Sequence, residues 1–402
     1  MKIGDEIFDR LEQISACSTP GTGVTRMPFT PEHDQALDLL RDWMEQAGLE
    51  VSLDDAGTLV GRKTGSDPAR TLLIGSHQDS IPNGGKYDGI LGIVLPIVCL
   101  ERLREERLPF SVEILAFADE EGVRFPTALV GSRSLAGSFD PAVLSLCDDR
   151  GMPLRDAIKS YNLDPENIVN LKRDADKVTG FLEVHIEQGP VLESKDLPVG
   201  IVTSICGIER WQVRLEGRAA HAGTTPMHLR RDALAGAAEI VSEVERYCRE
   251  RDELVGVVGS LNVEPNAVNV IPAVTRFSIE LRSGSDHLRE TAGRDIAGIV
   301  EEMATRRGLL LEIDKTYTQM AAQCDPGLSD SLENAVTDAV VPAFRLMSGA
   351  THDASAMADL CPIAMLFVRC REGISHHHEE AITAEDAGIA ADILIRFLRT
   401  LT

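Results

Sequence analysis

Four apolar runs along the chain each end in polar side chains that could bind a ligand. Uninterrupted apolar runs of this length are typical of strands that are buried on both faces of a sheet. Helical patterns such as the one in residues 31–48 lie around them, so the alternation predicts an α/β fold with a central, mostly parallel sheet. Ligands collect at the carboxyl ends of strands in such sheets, and we therefore expect the polar clusters to form one site. The runs are TLLIGSHQD (71–79), SVEILAFADEE (111–121), GFLEVHIEQG (180–189) and PIAMLFVRCREGISHHH (362–378).

The joint that follows the first run, GSHQDSIPNGGKYDGILG (75–92), is rich in glycine and carries a His and two Asp residues. It is either an ordinary strand-to-helix turn or a place where side chains meet a ligand. Residues 90–100 after it fit a buried helix or a buried strand. The glycines allow a tight turn before Asp88. A phosphate-binding loop is excluded, because the GxxxxGK[ST] pattern is absent and Lys86 is followed by Tyr87.

Residues 210–320 have a different pattern of helices and strands, which indicates a second domain. They predict helices over 227–250 and 287–307, between strands at RWQVRLEG, ELVGVVGSLNV, VTRFSIELRS and LLLEIDKTY. The resulting βαββαβ order is that of a ferredoxin-like α+β domain. We expect this domain, residues 210–321, to be inserted into a first domain formed by residues 1–209 and 322–402.

Composition and charge exclude several classes of partner. The 402 residues include 64 acidic and 40 basic side chains, a formal net charge of −24, so neither nucleic acid nor an anionic membrane is expected to bind. The longest apolar stretch, residues 89–100, is too short to cross a bilayer. Residues 1–16 are charged and amphipathic, unlike a signal peptide, and the eight Cys residues form no CxxC pair. We therefore expect a cytoplasmic protein.

The strand-end clusters contain the side chains that a hydrolytic two-metal site needs. Such a site requires a carboxylate between the ions, further ligands on each ion, and a free base for water. A single His at a strand end is more often structural, and Asp119–Glu121 alone could be a solvated turn or a helix cap, but four clusters that converge favour metal binding. Asp79 follows His77 by two residues and could accept a proton from its far ring nitrogen. The candidates are His77, Asp79, Asp88, Asp119, Glu120, Glu121, His185 and His376.

Seven motifs together resemble one group of enzymes, in order from about residue 20 to residue 395. They are similar to the dinuclear-metal amidohydrolases that act on N-carbamoyl amino acids. That group includes N-carbamoyl-L-amino acid hydrolases, allantoate amidohydrolases and β-ureidopropionases, within the larger aminoacylase and metallopeptidase family. The motifs are GSHQDSIPNGGKYDG, ADEEGVRF, HIEQGPVLE, HAGTTPM, NAVNVIP, SGATHDA and GISHHHEE.

The resemblance implies a metallopeptidase-like catalytic domain with two divalent ions, Zn²⁺, Mn²⁺, Co²⁺ or Ni²⁺. Asp88 would bridge them, with His77 and His185 on one ion and Glu121 and His376 on the other. Glu120 would be the general base that activates water and later protonates the leaving nitrogen. His377 and His378 compete with His376, because the family usually has a Pro two residues after the ligand and this chain does not. His352 would support a ligand.

The resemblance also implies that residues 210–321 form a lid and a homodimerisation module. His221 would stabilise the oxyanion of the reaction, often from the partner subunit. Gln188, Asn269 and Arg282 match positions that hold the substrate, and Arg282 would bind its carboxylate. From the residues alone, Arg282 fits a surface position on a strand as well as it fits a substrate contact. His221 likewise fits an ordinary turn as well as a catalytic role.

The expected activity is hydrolysis of the carbamoyl or ureido C–N bond of a small carboxylate substrate. An N-carbamoyl-L-amino acid would give the amino acid, carbon dioxide and ammonia. Allantoate is the alternative substrate. An aminoacylase or dipeptidase is a weaker alternative, because the His in VHIEQG is similar to the carbamoyl-hydrolysing branch. A non-catalytic binding protein on the same fold is weaker still, since the ligand and base set is complete.

Overall fold

The computed structural model describes residues 2–401, which divide into two compact units. One unit contains residues up to 203 and residues from 323 onward, and the other contains residues 204–322. Within residues 2–401, no helix has both the length and the apolar character that are needed to cross a membrane. The strands are β1 (Glu50–Leu53), β2 (Leu59–Lys63), β3 (Asp67–His77), β4 (Phe110–Phe117), β5 (Val178–Ile186), β6 (Val199–Ile205), β7 (Gly207–Glu216), β8 (Leu254–Val257), β9 (Leu261–Glu264), β10 (Val274–Ser283), β11 (Leu310–Gln319), β12 (Ala322–Gln323), β13 (Arg345–Ser348) and β14 (Ile363–Val368).

The helices alternate with these strands along much of the chain, as the sequence predicts. They are α1 (Ile3–Ser15), α2 (Pro31–Gln46), α3 (Leu91–Arg102), α4 (Val130–Ala136), α5 (Leu154–Ser160), α6 (Val191–Ser194), α7 (Ala233–Arg249), α8 (Asp286–Arg307), α9 (Pro326–Asp338), α10 (Asp353–Met357) and α11 (Ala384–Thr400).

The four predicted apolar runs form β3, β4, β5 and β14, which are neighbours at the centre of the first unit's sheet. The sheet order is β1-β2-β4-β3-β5-β14-β6-β12, and β13 also pairs with β6. The pairs β4–β3, β3–β5 and β5–β14 are parallel, whereas β1, β2 and β6 pair antiparallel. The predicted mostly parallel α/β sheet is therefore confirmed, and the carboxyl ends of these four strands lie at one edge.

The run after the glycine-rich joint forms a buried helix rather than a strand. Every residue of α3 from Leu91 to Leu100 is buried, and the helix packs on β3 and β5 beneath α1 and α11. A run this long fits a helix better than a strand, because buried strands usually span four to eight residues. The covering helix α1 is amphipathic and buries Ile7, Leu11 and Ile14 at helical spacing.

The second unit has the predicted βαββαβ order with one strand divided in two. Its sheet order is β11-β7-β10-β8, and β9 also pairs with β10. The predicted strand ELVGVVGSLNV becomes β8 and β9, because residues 258–260 of this strand lie opposite only residues 278–279 of β10. The helices α7 and α8 pack on this sheet.

The predicted helix over 227–250 was wrong at its start. Helix α7 begins at Ala233, where the side chain of Asp232 accepts the backbone N–H of Ala235 at 3.0 Å. This N-cap satisfies a donor that the first helical turn leaves free. Pro226 and a short 3₁₀ turn over Met227–Leu229 precede the cap.

Candidate metal centre

The predicted ligands of the first unit meet at the carboxyl edge of its sheet. His77 is the last residue of β3 and His185 is the last but one of β5. Asp88 lies in the turn before α3, Glu121 follows β4, and His376 lies on the loop after β14. The sequence separates these residues by up to three hundred positions, and the parallel strand order brings them together.

The two carboxylate oxygens of Asp88 face two different pairs of ligand atoms. Oδ1 lies 3.1 Å from Nε2 of His185 and 3.6 Å from Nε2 of His77. Oδ2 lies 3.5 Å from Nε2 of His376, which in turn lies 3.8 Å from Oε2 of Glu121. We call these sets the His77 trio (His77, Asp88, His185) and the His376 trio (Asp88, Glu121, His376). Within each trio the ligand atoms all lie within 4.8 Å of one another.

The spacing within each trio fits a divalent cation. Two ligand atoms that each lie about 2.1 Å from a tetrahedral ion are separated by about 3.4 Å. The four separations, from 3.1 to 3.8 Å, lie on both sides of that value. Imidazole nitrogens and carboxylate oxygens are also ligands that zinc and manganese accept. Among the described residues, the donor set therefore fits an ion in each trio with Asp88 shared.

The backbone turns the Nε2 atoms of both buried histidines toward Asp88. Nδ1 of His77 lies 3.0 Å from the backbone carbonyl oxygen of Asp79, and Nδ1 of His185 lies 2.9 Å from that of Ile186. A ring N–H that donates to these carbonyls leaves the lone pair on Nε2, which is the tautomer that binds a metal.

Asp79 has a different main partner from the one that its spacing to His77 predicts. Its carboxylate Oδ1 lies 3.6 Å from Nδ1 of His77, farther than its own carbonyl. Instead, Oδ1 accepts the backbone N–H of Glu120 and Oδ2 accepts that of Glu121, both at 3.1 Å. Asp79 is buried, and its carboxylate holds the segment that carries the predicted base and one predicted ligand. The sequence pattern missed this role because it follows from the pairing of β3 with β4.

The electrostatics of the centre favour a bound positive charge. Burial lowers the pKa of His77, but the carboxylates of Asp79 and Asp88 outweigh it and raise that pKa well above the ordinary value. Burial, reinforced by the charge of Asp88, raises the pKa of Glu121 to about 8. Carboxylates buried beside one another are costly unless a cation compensates them. A divalent ion would supply that compensation.

Glu120 lies beside the His77 trio with its carboxylate nearly buried. The residue is 8 % exposed, and one carboxylate oxygen lies within 4.8 Å of ligand atoms of His77 and Glu121. Burial raises its pKa well above the ordinary value, although the charge of His77 lowers it. A carboxylate with a raised pKa at this position can accept a proton from water.

Five residues near the centre had no predicted role, or only a supporting one. Ser76 Oγ donates to buried Glu183 at 2.7 Å, and the ring of His352 lies 4.5 Å from that of His185. Glu183, His185 and His352 form a further group of ligand atoms within 4.8 Å. Ser375 and Glu380 contact Asp88 or its backbone. Both lie in the motif GISHHHEE, but nothing in the motif indicates their partner.

The side chain of Gln188 also contacts the centre. Its Nε2 donates to Oδ2 of Asp88 at 3.0 Å and to Oγ of Ser375 at 3.1 Å.

The two histidines that compete with His376 in the sequence lie apart from the trios. His377 and His378 are exposed, with ring centroids 4.2 Å apart, whereas Nε2 of His376 faces Asp88.

The remaining predicted substrate residues lie in the second unit. His221 forms an isolated β-bridge with Val270, and the backbone N–H of Ala222 donates to the carbonyl of Asn269 at 3.0 Å. His221 and Asn269 are therefore neighbours. Arg282 lies on β10, where its Nε donates to Glu280 at 2.7 Å. The roles of these three residues toward a substrate stay predictions.

Comparison with known proteins places these observations in a family. The model of peptidase family M20/M25/M40 matches residues 73–400. The chain is 39% identical to an N-carbamoyl-L-amino acid amidohydrolase of Geobacillus stearothermophilus, over 97% of both chains. It is 38% identical to an allantoate deiminase of Arabidopsis thaliana, over 98% of this chain and 82% of that protein. A crystal structure of an amidase of the hydantoinase/carbamoylase family from Burkholderia multivorans superposes with a TM-score of 0.92 at 29% identity, covering 99% of this chain and 97% of that one.

Proposed function

The chain belongs to peptidase family M20/M25/M40, and from this premise we propose that it is a metal-dependent amidohydrolase that cleaves a carbamoyl or ureido C–N bond. The observation that carries the proposal is that Asp88 belongs to both trios of candidate ligands. Glu120 lies beside one of these trios. The substrate would be a small carboxylate, most directly an N-carbamoyl-L-amino acid, and the products would be the amino acid, carbon dioxide and ammonia.

In this proposal His77 and His185 would hold one ion, Glu121 and His376 would hold a second, and Asp88 would be shared by both. Bound divalent ions would supply Lewis-acid polarisation of the substrate carbonyl and of water. Zn²⁺, Mn²⁺, Co²⁺ and Ni²⁺ are all compatible with the donors. Asp79 keeps Glu120 and Glu121 in place through their backbone N–H groups.

Glu120 would accept a proton from the attacking water and deliver it to the leaving nitrogen. Its buried position and raised pKa support that transfer in both directions. We propose that His221 stabilises the oxyanion, that Arg282 binds the substrate carboxylate, and that Gln188 and Asn269 orient the substrate. The second unit would then act as a lid and as the interface of a cytoplasmic homodimer.

Allantoate is the second candidate substrate, because a relative as similar as 38% identical carries the name allantoate deiminase. The two candidates share the carboxylate and the ureido nitrogen, so the same catalytic residues would serve both. Side chains that contact the rest of the substrate would decide between them.

Ammonia release from the purified, Mn²⁺-supplemented protein tests the proposal, with allantoate beside a panel of N-carbamoyl-L-amino acids. Turnover of the panel but not allantoate would support the first substrate, and the reverse would support the second. If neither allantoate nor any N-carbamoyl-L-amino acid releases ammonia, the amidohydrolase proposal is refuted. Glu120→Gln should bind metal like the wild type yet lose nearly all turnover. The control is Glu113→Gln, a buried glutamate of β4 that pairs with Arg62 and Arg173 and should retain turnover.

A further inference from the structure

A buried carboxylate outside the ligand set joins the two loops that carry Asp88 and His376. Glu380 is 4 % exposed, and its Oε1 accepts the backbone N–H of Tyr87 at 3.0 Å and that of Asp88 at 3.1 Å. Its Oε2 accepts the hydroxyl of Ser375, the residue before His376, at 3.2 Å. One side chain therefore fixes the backbone of the shared ligand and the loop of another ligand.

The loop before Asp88 is built closely around this carboxylate. A Cβ atom on Gly85 would lie 2.0 Å from Oε1 of Glu380 and 2.1 Å from its Cδ. Only glycine allows the backbone to approach the carboxylate so closely. Gly85 therefore does more than permit a turn, because it makes room for Glu380.

Ser375 connects the same carboxylate to the side chain of Asp88. Its hydroxyl lies 3.2 Å from Oδ2 of Asp88 and 3.2 Å from Oε2 of Glu380, and it accepts from Nε2 of Gln188 at 3.1 Å. A hydroxyl has one proton, so Ser375 donates to one carboxylate at a time. On Asp88 it contacts Oδ2, the carboxylate oxygen that faces His376.

The two trios differ in how firmly their histidines are held. His77 and His185 lie on central strands and are buried. His376 lies on a loop with its side chain 52% exposed, and its φ of 56° is in the left-handed region that non-glycine residues rarely adopt. The His376 trio therefore depends more on contacts that anchor its loop.

We propose that Glu380 is a positioning residue that keeps Asp88 and His376 in register, and that the ion of the His376 trio depends on it. This inference rests on the proposed two-ion centre. Among the described residues, Glu380 belongs to neither trio and to no other group of ligand atoms. It acts through the backbone of Asp88 and through Ser375.

Metal titration of the chelator-stripped, full-length protein tests this inference, with Co²⁺ followed by calorimetry and by its visible absorption. The wild type should bind two equivalents. In Glu380→Ala, the first equivalent should bind as in the wild type, and the second should bind about 10–100-fold more weakly, as is usual when a residue that supports a ligand is lost. Ser375→Ala keeps the backbone contacts of Glu380 and should weaken the second equivalent by a smaller factor.

Asp54→Ala is the matched control. Oδ1 of Asp54 accepts the backbone N–H groups of Ala56 and Thr58, both at 2.9 Å, in the turn between β1 and β2. This variant loses the same kind of contact as Glu380→Ala, so its melting temperature should fall while both equivalents bind as in the wild type.

Equal binding of the second equivalent in the wild type, Glu380→Ala and Ser375→Ala would overturn the inference and leave the proposed function standing. An equal loss of both equivalents in Glu380→Ala would overturn the claim that the His376 trio depends on it selectively. A wild type that binds one equivalent would overturn the two-ion centre and this inference together. If Glu380→Ala does not fold, Ser375→Ala decides between these outcomes.

Discussion

Replacing Gly89 by alanine should damage the His77 trio through direct contact with the imidazole ring. Gly89 follows Asp88 and has a φ of +68°, in the left-handed region. A Cβ atom there would lie 2.4 Å from Cε1 of His77 and 2.5 Å from both of its ring nitrogens. Non-bonded carbon atoms pack at about 3.5 Å, so the ring would have to move by about 1 Å.

The expected loss of stability has two parts. A left-handed backbone costs alanine about 1–2 kcal/mol, and this part does not depend on the neighbours. Overpacking against a buried ring adds about 1–3 kcal/mol, so the free energy of unfolding should fall by about 2–5 kcal/mol. A displacement of about 1 Å also exceeds the roughly 0.2 Å that metal–ligand distances tolerate, so the ion of the His77 trio should bind more weakly.

Gly151→Ala is the matched control, because Gly151 has a φ of +79° and no atom within 4 Å of the added Cβ. It should lose only the backbone part of the free energy. Chemical denaturation of the metal-stripped proteins measures the free energy of unfolding. Co²⁺ titration measures the affinity of the ion in the His77 trio. The reasoning is refuted if Gly89→Ala and Gly151→Ala lose the same stability and Gly89→Ala binds both ions like the wild type.

Two further predictions concern acid stability and substrate binding. Burial, with the charges of Arg26 and Arg124, lowers the pKa of His33 from 6.5 to about 3, so the folded state excludes a proton that the unfolded chain binds. Stability from this group is therefore complete above pH 6.5 and is lost as the pH falls, by about 2 kcal/mol at pH 5. The variant His33→Asn keeps an acceptor for the backbone N–H of Phe29. In denaturation at pH 7.5 and pH 5, it should lose the part of the pH dependence of stability that comes from His33. An unchanged pH dependence would contradict the role of His33. Arg282→Ala should raise KM at least tenfold with metal content unchanged, whereas Arg276→Ala, an exposed arginine of the same strand, should not. An unchanged KM in Arg282→Ala would remove its carboxylate-binding role.

The sequence alone determined which segments are buried and where chemistry collects. Runs such as TLLIGSHQD are apolar on both faces, and only central strands and buried helices bury both faces, so β3, β4, β5 and β14 could be predicted. Their polar ends supplied His77, Glu121 and His185 as candidates, and the glycine-rich joint supplied Asp88. The ferredoxin-like order of the second unit also follows from local periodicity, because period and burial are properties of neighbouring residues.

Only the tertiary structure decided which of these residues touch. The order β4-β3-β5-β14 places Asp88 between two sets of predicted ligands, and no local pattern encodes which strand pairs with which. The carboxylate of Asp79 holds Glu120 and Glu121 because β3 and β4 are parallel neighbours. Glu380 contacts the backbone of Asp88, nearly three hundred residues earlier, and reads in the sequence as an ordinary acidic residue. A hydrogen bond between such distant residues depends on the path of the whole chain. Local sequence patterns do not encode that path, so they cannot predict the bond.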